Sequence, residues 1–175
     1  MASDTSDTYQ NSSNMENTPD LTPYYQLVEN VITKLGVDPS ICRSKDGNGE
    51  IKAGQWNMLR GSAKVWIDLW YIEKEKRAYY QVMSPVMQIP ENNKAALFQE
   101  LLEINDKLYG VAFTIYNNWV WLKVIREVDG MDENEAFAML TRIGNYADQY
   151  DDHLIGKYGE ESGDDNPAGP APSDG

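Results

Sequence analysis

The chain has 175 residues, 41% hydrophobic and 11% aromatic, enough to bury one sizeable core. Its formal net charge is -13: residues 1–20 carry -4 (Asp4, Asp7, Glu16, Asp20), residues 156–175 another -4 (five acids less Lys157), and the middle keeps -5. Such a polyanion is repelled at long range by nucleic acid and by anionic lipid, so neither is expected as a partner.

Residues 1–20 are rich in Ser, Thr, Asn and Asp, and residues 156–175 in Gly, Pro, Asp and Glu. Neither stretch can bury enough apolar surface to offset the entropy of ordering, so both are expected to be disordered acidic tails flanking one domain over residues 21–155. No basic start with an apolar core marks a signal peptide, and no apolar run approaches the length of a membrane span. With a single cysteine, Cys42, there is no intrachain disulfide framework. A cytoplasmic protein is expected.

Thr22-Pro23 followed by YYQLVENVITKLG reads as a helix, with Thr22 as cap, Pro23 in the first turn and Gly36 after the last. Leu27/Val28, Val31 and Leu35 make its apolar stripe. From Ile51 to Ile89 the period falls to two. Val65, Ile67, Leu69 and Tyr71 face one way, and Trp66, Asp68, Trp70 and Ile72 the other. A strand in GQWNMLRG, this strand and the AYYQVMSPVMQI run make a three-stranded antiparallel meander. NNKAALFQELLEINDKL is a second helix with a broad apolar face. VAFTIY, Asn117-Asn118 and WVWLKVIREV form a hairpin. Asp132 and Glu135 resemble a capping box opening the last helix. The expected class is α+β: helix, meander, helix, β-hairpin, helix.

Ser44 to Gln55, SKDGNGEIKAGQ, imitates the twelve-residue loop of an EF-hand. Asp46, Asn48 and Gly49 match its third, fifth and sixth positions, but Ser44 and Gln55 replace the two carboxylates that anchor the ion. Strand pattern rather than a helix follows, so a turn is expected; a small-ligand or calcium-responsive regulator using residues 44–55 is the alternative. His153 lies among Asp148, Asp151 and Asp152 on the last helix, where a solvated acidic face explains it better than a metal centre. Cys42 has no histidine to activate it. No enzyme, cofactor or resident metal is expected.

Five tryptophans fall at 56, 66, 70, 119 and 121, all in or beside strands. Trp66 and Trp70 share a strand face, as do Trp119 and Trp121. One reading is a core side covered by the second helix or by another subunit. The other is a groove for a protein client, in which Trp56, Trp66, Trp70, Trp119, Trp121 and Met83 make the contacts. Leu97, Phe98, Leu101, Leu102 and Ile104 of the second helix are the candidate contacts of a homodimer.

MQIPENNKAALFQELLEIN, through Pro90, Leu101, Leu102 and Asn105, with Phe113 in the next strand, resembles the YbjN family, which is similar in fold to type III secretion chaperones. ADQYDDHL, through Ala147, Asp148, Tyr150 and Leu154, resembles that family's closing helix. The resemblance implies a small acidic protein, often dimeric and labelled a regulator of sensory transduction, that holds other proteins and turns over no substrate.

Overall fold

Thr22 to Lys34 form α1, with Pro23 in its first turn and Gly36 in the left-handed conformation just beyond its end (φ 79°). Asp20, not Thr22, supplies the N-terminal acceptor: its Oδ1 takes the Thr22 N–H at 2.9 Å. These are nearly the first residues of the computed structural model, which describes residues 19–159 and Pro167. Of the segments expected as tails, residues 1–18, 160–166 and 168–175 lie outside the described residues.

Two short elements follow that no periodicity announced, α2 (Pro39–Cys42) and β1 (Arg43–Lys45). Asp38 caps α2 by accepting the Ser40 N–H at 2.9 Å. β1 turns back into β2 (Ile51–Arg60) through the EF-hand-like residues. Asp46 Oδ1 accepts the N–H groups of Asn48 (2.8 Å) and Glu50 (2.9 Å), and Gly49 takes φ 84°. The stretch from Ser44 to Gln55 is thus a β-hairpin whose one inward carboxylate is committed to its own turn, and Gln55 belongs to a strand.

β3 (Ala63–Ile72) and β4 (Arg77–Gln88) complete the meander. After α3 (Lys94–Asn105) come β5 (Ala112–Tyr116) and β6 (Trp119–Glu127), joined by Asn117 and Asn118, both at positive φ (46° and 62°). That turn has the twist that suits a two-residue hairpin. α4 (Glu133–Tyr158) opens on Asp132, whose Oδ1 accepts the Glu135 N–H at 2.8 Å. Glu135 itself pairs with Arg126, so the box is half made. The helix runs three residues past the boundary expected at 155.

All six strands form one antiparallel sheet in the order β1-β2-β3-β4-β6-β5. The three long helices bury their apolar stripes on the same side of it. Val31 and Ile32 of α1, Leu97 and Leu101 of α3, and Leu140 and Ile143 of α4 join Ile67, Leu69, Tyr80, Val82, Val120 and Leu122 in one core. Each aliphatic side chain so buried contributes about 1.5–3 kcal/mol. The opposite side of the sheet carries no helix among the described residues.

Two polar devices hold α3 in place. The Asn105 amide accepts the Phe113 N–H (2.7 Å) and donates to the Phe113 carbonyl (3.3 Å), covering part of the outer edge of β5. Glu100 meets His153 (2.7 Å), Lys157 (2.7 Å) and the Tyr158 hydroxyl (2.5 Å) on α4. The His153 hydrogen bond first, then those of Lys157 and Tyr158, hold the Glu100 carboxyl down to about 2. A depressed carboxylate stabilises the fold above its unfolded value and loses that contribution as pH falls toward 2. His153 is therefore a tie between two helices.

Candidate functional site

The helix-free side of the sheet is built by period-two alternation along β3, β4 and β6, and the register fixes which side chains become neighbours. Trp66 stands opposite Met83, which stands opposite Lys123. One row away, Asp68, Gln81 and Ile125 align, and beyond them Trp70, Tyr79 and Glu127. Toward the other end, Pro85 pairs with Trp121 and Gln88 with Trp119. The tryptophans of two strands separated by β4 thus share one strip.

The rings are mutually ordered. Trp66 meets Trp121 edge to face (centroids 5.5 Å, 67°), and Trp70 stacks on Tyr79 (5.8 Å, 27°). Trp121 Nε1 donates to the Tyr116 carbonyl at 3.2 Å. Met83 and Trp121 are buried, whereas Trp66, Trp70 and Trp119 are half-buried. Trp70 Nε1 is enclosed without an acceptor.

Trp56 does not belong to this strip. It pairs with Ile67 on the helix side and is only 2% exposed, edge-on to Tyr25 (5.9 Å, 61°) with Nε1 donating to Glu29 at 3.4 Å. Its parity within β2 puts Gln55, Asn57 and Leu59 on the open side instead. The dimer candidates also divide. Leu97, Leu101 and Ile104 are buried in the molecule's own core, Phe98 is half-buried, and Leu102 alone projects outward, 69% exposed. Period explains the division: positions 97, 101 and 104 make one helical stripe, and 102 falls off it.

At the centre of the open strip sits a polar group that sequence reasoning noted without weighing. Asp68 is 3% exposed, between Trp66 and Trp70 on the same strand face. Gln81 Nε2 donates to its Oδ2 at 3.2 Å, and Gln55 also bonds to it. Desolvation raises the Asp68 carboxyl to about 6, against the pull of Gln81, Gln55, Lys123 and Lys52. Burial in turn lowers the Lys123 ammonium, with Asp68 opposing. The signal available in the sequence was the Trp-x-Asp-x-Trp spacing, which places an acid between two indoles whenever the segment is a strand.

The nucleophile and acid–base candidates stand elsewhere. Cys42 is buried, its thiol pushed up by burial and by Asp38. Asp148 and Asp151 accept from the Ser62 hydroxyl at 2.9 and 3.4 Å. No group of three or more His, Cys, Asp or Glu among the described residues is placed to hold a metal ion. No described helix is long and apolar enough to cross a membrane.

Solved structures that share this fold include three protein complexes. The "Crystal Structure of the ExsC-ExsE Complex" superposes with a TM-score of 0.53 at 16% identity, covering 76% of this chain and 95% of that one. The "Structure of the HopA1-SchA Chaperone-Effector Complex" gives 0.52 at 9% identity, covering 77% and 98%. The heterodimeric complex ExoU-SpcU, from the type III secretion system of Pseudomonas aeruginosa, gives 0.50 at 10% identity, covering 74% and 96%. No curated protein matches in sequence. Residues 25–156, from Tyr25 of α1 to the last turns of α4, match the family described as "YbjN: Putative bacterial sensory transduction regulator", and the chain belongs to that family.

Proposed function

We propose that this protein is a non-catalytic protein-binding module, a chaperone-like or regulatory adaptor that holds a client polypeptide on the helix-free side of its sheet. One observation carries the reading: Trp66, Trp70 and Trp119 stand half-buried on a side where no described helix packs. Indole and thioether surfaces adapt to varied apolar side chains and dominate binding energy where they are desolvated. The fold shared with the chaperone–effector complex HopA1-SchA supports a protein as the partner. A cytoplasmic setting agrees with the lone, buried Cys42.

The double substitution Trp66→Ala/Trp70→Ala is expected to lower client capture from the native cell extract at least ten-fold while the far-ultraviolet circular dichroism stays unchanged. A correctly folded double variant that captures the same proteins in the same amounts overturns the assignment.

Self-association is a second part of the proposal, and it uses a different surface. Leu102, Tyr109 and Ile115 are exposed at the outer side of α3 and β5. Asn105 occupies the edge of β5 at Phe113, and strand periodicity turns the peptide groups of Ile115 the same way. An apolar patch beside an edge that no strand pairs with among the described residues suits a second copy. Leu102→Glu/Ile115→Glu is expected to give a monomer by sedimentation velocity where the unmodified chain gives a dimer. A monomer for both chains removes this part.

A further inference from the structure

We infer that the partner held on the helix-free side is an extended acidic segment, in which a carboxylate set against Lys123 is followed about four residues on by another beside Trp70 and Arg77. This rests on the client reading above and names that client's chemistry.

Charge separates this side from the rest of the molecule. The chain carries a formal net charge of -13. On the helix-free side, however, β3, β4 and β6 present Lys64, Arg77 and Lys123 against Asp68 and Glu127 alone. An acidic partner is therefore repelled by the other surfaces and admitted here, which fixes its orientation before contact. A cationic partner finds no acceptor to spare. Asp68 is 3% exposed and already takes hydrogen bonds from Gln81 and Gln55, and Glu127 pairs with Arg77. Nucleic acid, charged at every nucleotide, meets the repulsion of the whole chain in return for one surplus cation.

The donors of the strip lack partners. Lys123 is half-buried, and only the field of Asp68 opposes the effect of that burial on its ammonium. It forms no ion pair among the described residues, and neither does Lys52, whose field also reaches Asp68. A carboxylate from outside supplies charge and acceptors together to a cation already stripped of part of its water. Trp70 Nε1 is enclosed without an acceptor, and the half-buried ring gains one by turning toward such a partner.

The register sets the spacing. Lys123 shares a row with Trp66 and Met83, Trp70 lies two rows along the strands, and Arg77 stands in the row beyond. The Trp66 and Trp70 rows are about 13 Å apart at ~3.3 Å per residue, which an extended partner spans in the same number of residues. The side chain midway between the two carboxylates falls on Ile125, 47% exposed in the row of Asp68 and Gln81, and an apolar one fits there. The pattern recognised is acid-x-apolar-x-acid.

The test is a titration of the full chain with the synthetic peptide Leu-Ser-Glu-Ser-Leu-Ser-Glu-Ser-Leu, followed by indole N–H signals in two-dimensional NMR. Trp66 and Trp70 are expected to shift while Trp56, on the helix side, stays. The same peptide with Gln in place of both Glu is expected to bind about ten-fold more weakly, and added salt to narrow the difference. Lys123→Glu is expected to abolish the preference, and Lys107→Glu, an equal change of charge just past α3, to keep it. The milder Lys123→Gln is expected to lower it about three-fold, so the test holds even where the inverted charge disturbs the fold. Equal affinity for the two peptides overturns the inference and leaves the client reading standing. A preference that survives both Lys123 substitutions also overturns it, because the charge is then read elsewhere. Displacement of the peptide by an equal concentration of a single-stranded oligonucleotide overturns it in favour of general polyanion binding. If neither peptide moves Trp66 or Trp70, the inference falls. Client capture unchanged by Trp66→Ala/Trp70→Ala then removes the client reading as well, whereas capture lost in that variant retains it.

Discussion

Asp68→Asn is expected to stabilise the protein above pH 7, by about 2–3 kcal/mol, and to leave it unchanged below about pH 4. Burial lifts the folded carboxyl from 3.8 to about 6, so between those values the folded state binds more protons than the unfolded one. Stability therefore falls as pH rises through that interval, and the whole penalty is present once the group is ionised in both states. The groups facing Asp68 soften the penalty without removing it: Gln81 and Gln55 by hydrogen bonds, Lys123 and Lys52 through their fields. The asparagine keeps the shape and an acceptor for Gln81 but carries no charge. Urea unfolding at intervals from pH 4 to pH 8 reads the difference. Parallel curves for the two proteins across that range refute the argument, because they leave no ionisation linked to folding at this site.

Gly54→Ala is expected to cost about 3 kcal/mol or more, enough to move a urea midpoint down by about 1 M or more. Gly54 holds φ +70° at the point where β2 begins to pair with β3, and a Cβ there falls 2.1 Å from the Leu69 carbonyl oxygen. Two terms add: the left-handed backbone that a side chain resists, and a collision with main chain that cannot swing aside. Gly49 separates them, since it has φ +84° with nothing within 4 Å of the same position. Gly49→Ala is expected to show the backbone term alone, about 1 kcal/mol. Equal losses at the two glycines remove the collision from the account.

The same glycine marks the limit of what the sequence could say about the sheet. Alternation in AKVWIDLWYI gives the two sides of β3 directly, and the structure places Val65, Ile67 and Leu69 under the helices and Trp66, Asp68 and Trp70 opposite. Trp56 could not be assigned that way. It lies two residues past the kink at Gly54, and only its pairing with Ile67 shows which side it takes. α2 and β1 escaped notice because elements of three or four residues are too short to carry a period; Asp38 and Asp46 make them through local hydrogen bonds. The second helix was legible as a helix, but which of its apolar residues turn outward depends on where β5 lies. The polar centre at Asp68 was visible as spacing, while its burial arises from neighbours on β4 that only the fold brings alongside.

The strand order has a kinetic consequence. β4 finds its second neighbour in β6, and α3 and β5 intervene in the chain. As the polypeptide leaves the ribosome, the first four strands can assemble while one long flank, rich in Val and Met, stays without a partner until the final hairpin arrives. Distant pairing of this sort slows the search and leaves an adhesive border open to neighbouring nascent chains. Slower synthesis or a larger chaperone supply is then expected to raise the yield of native protein.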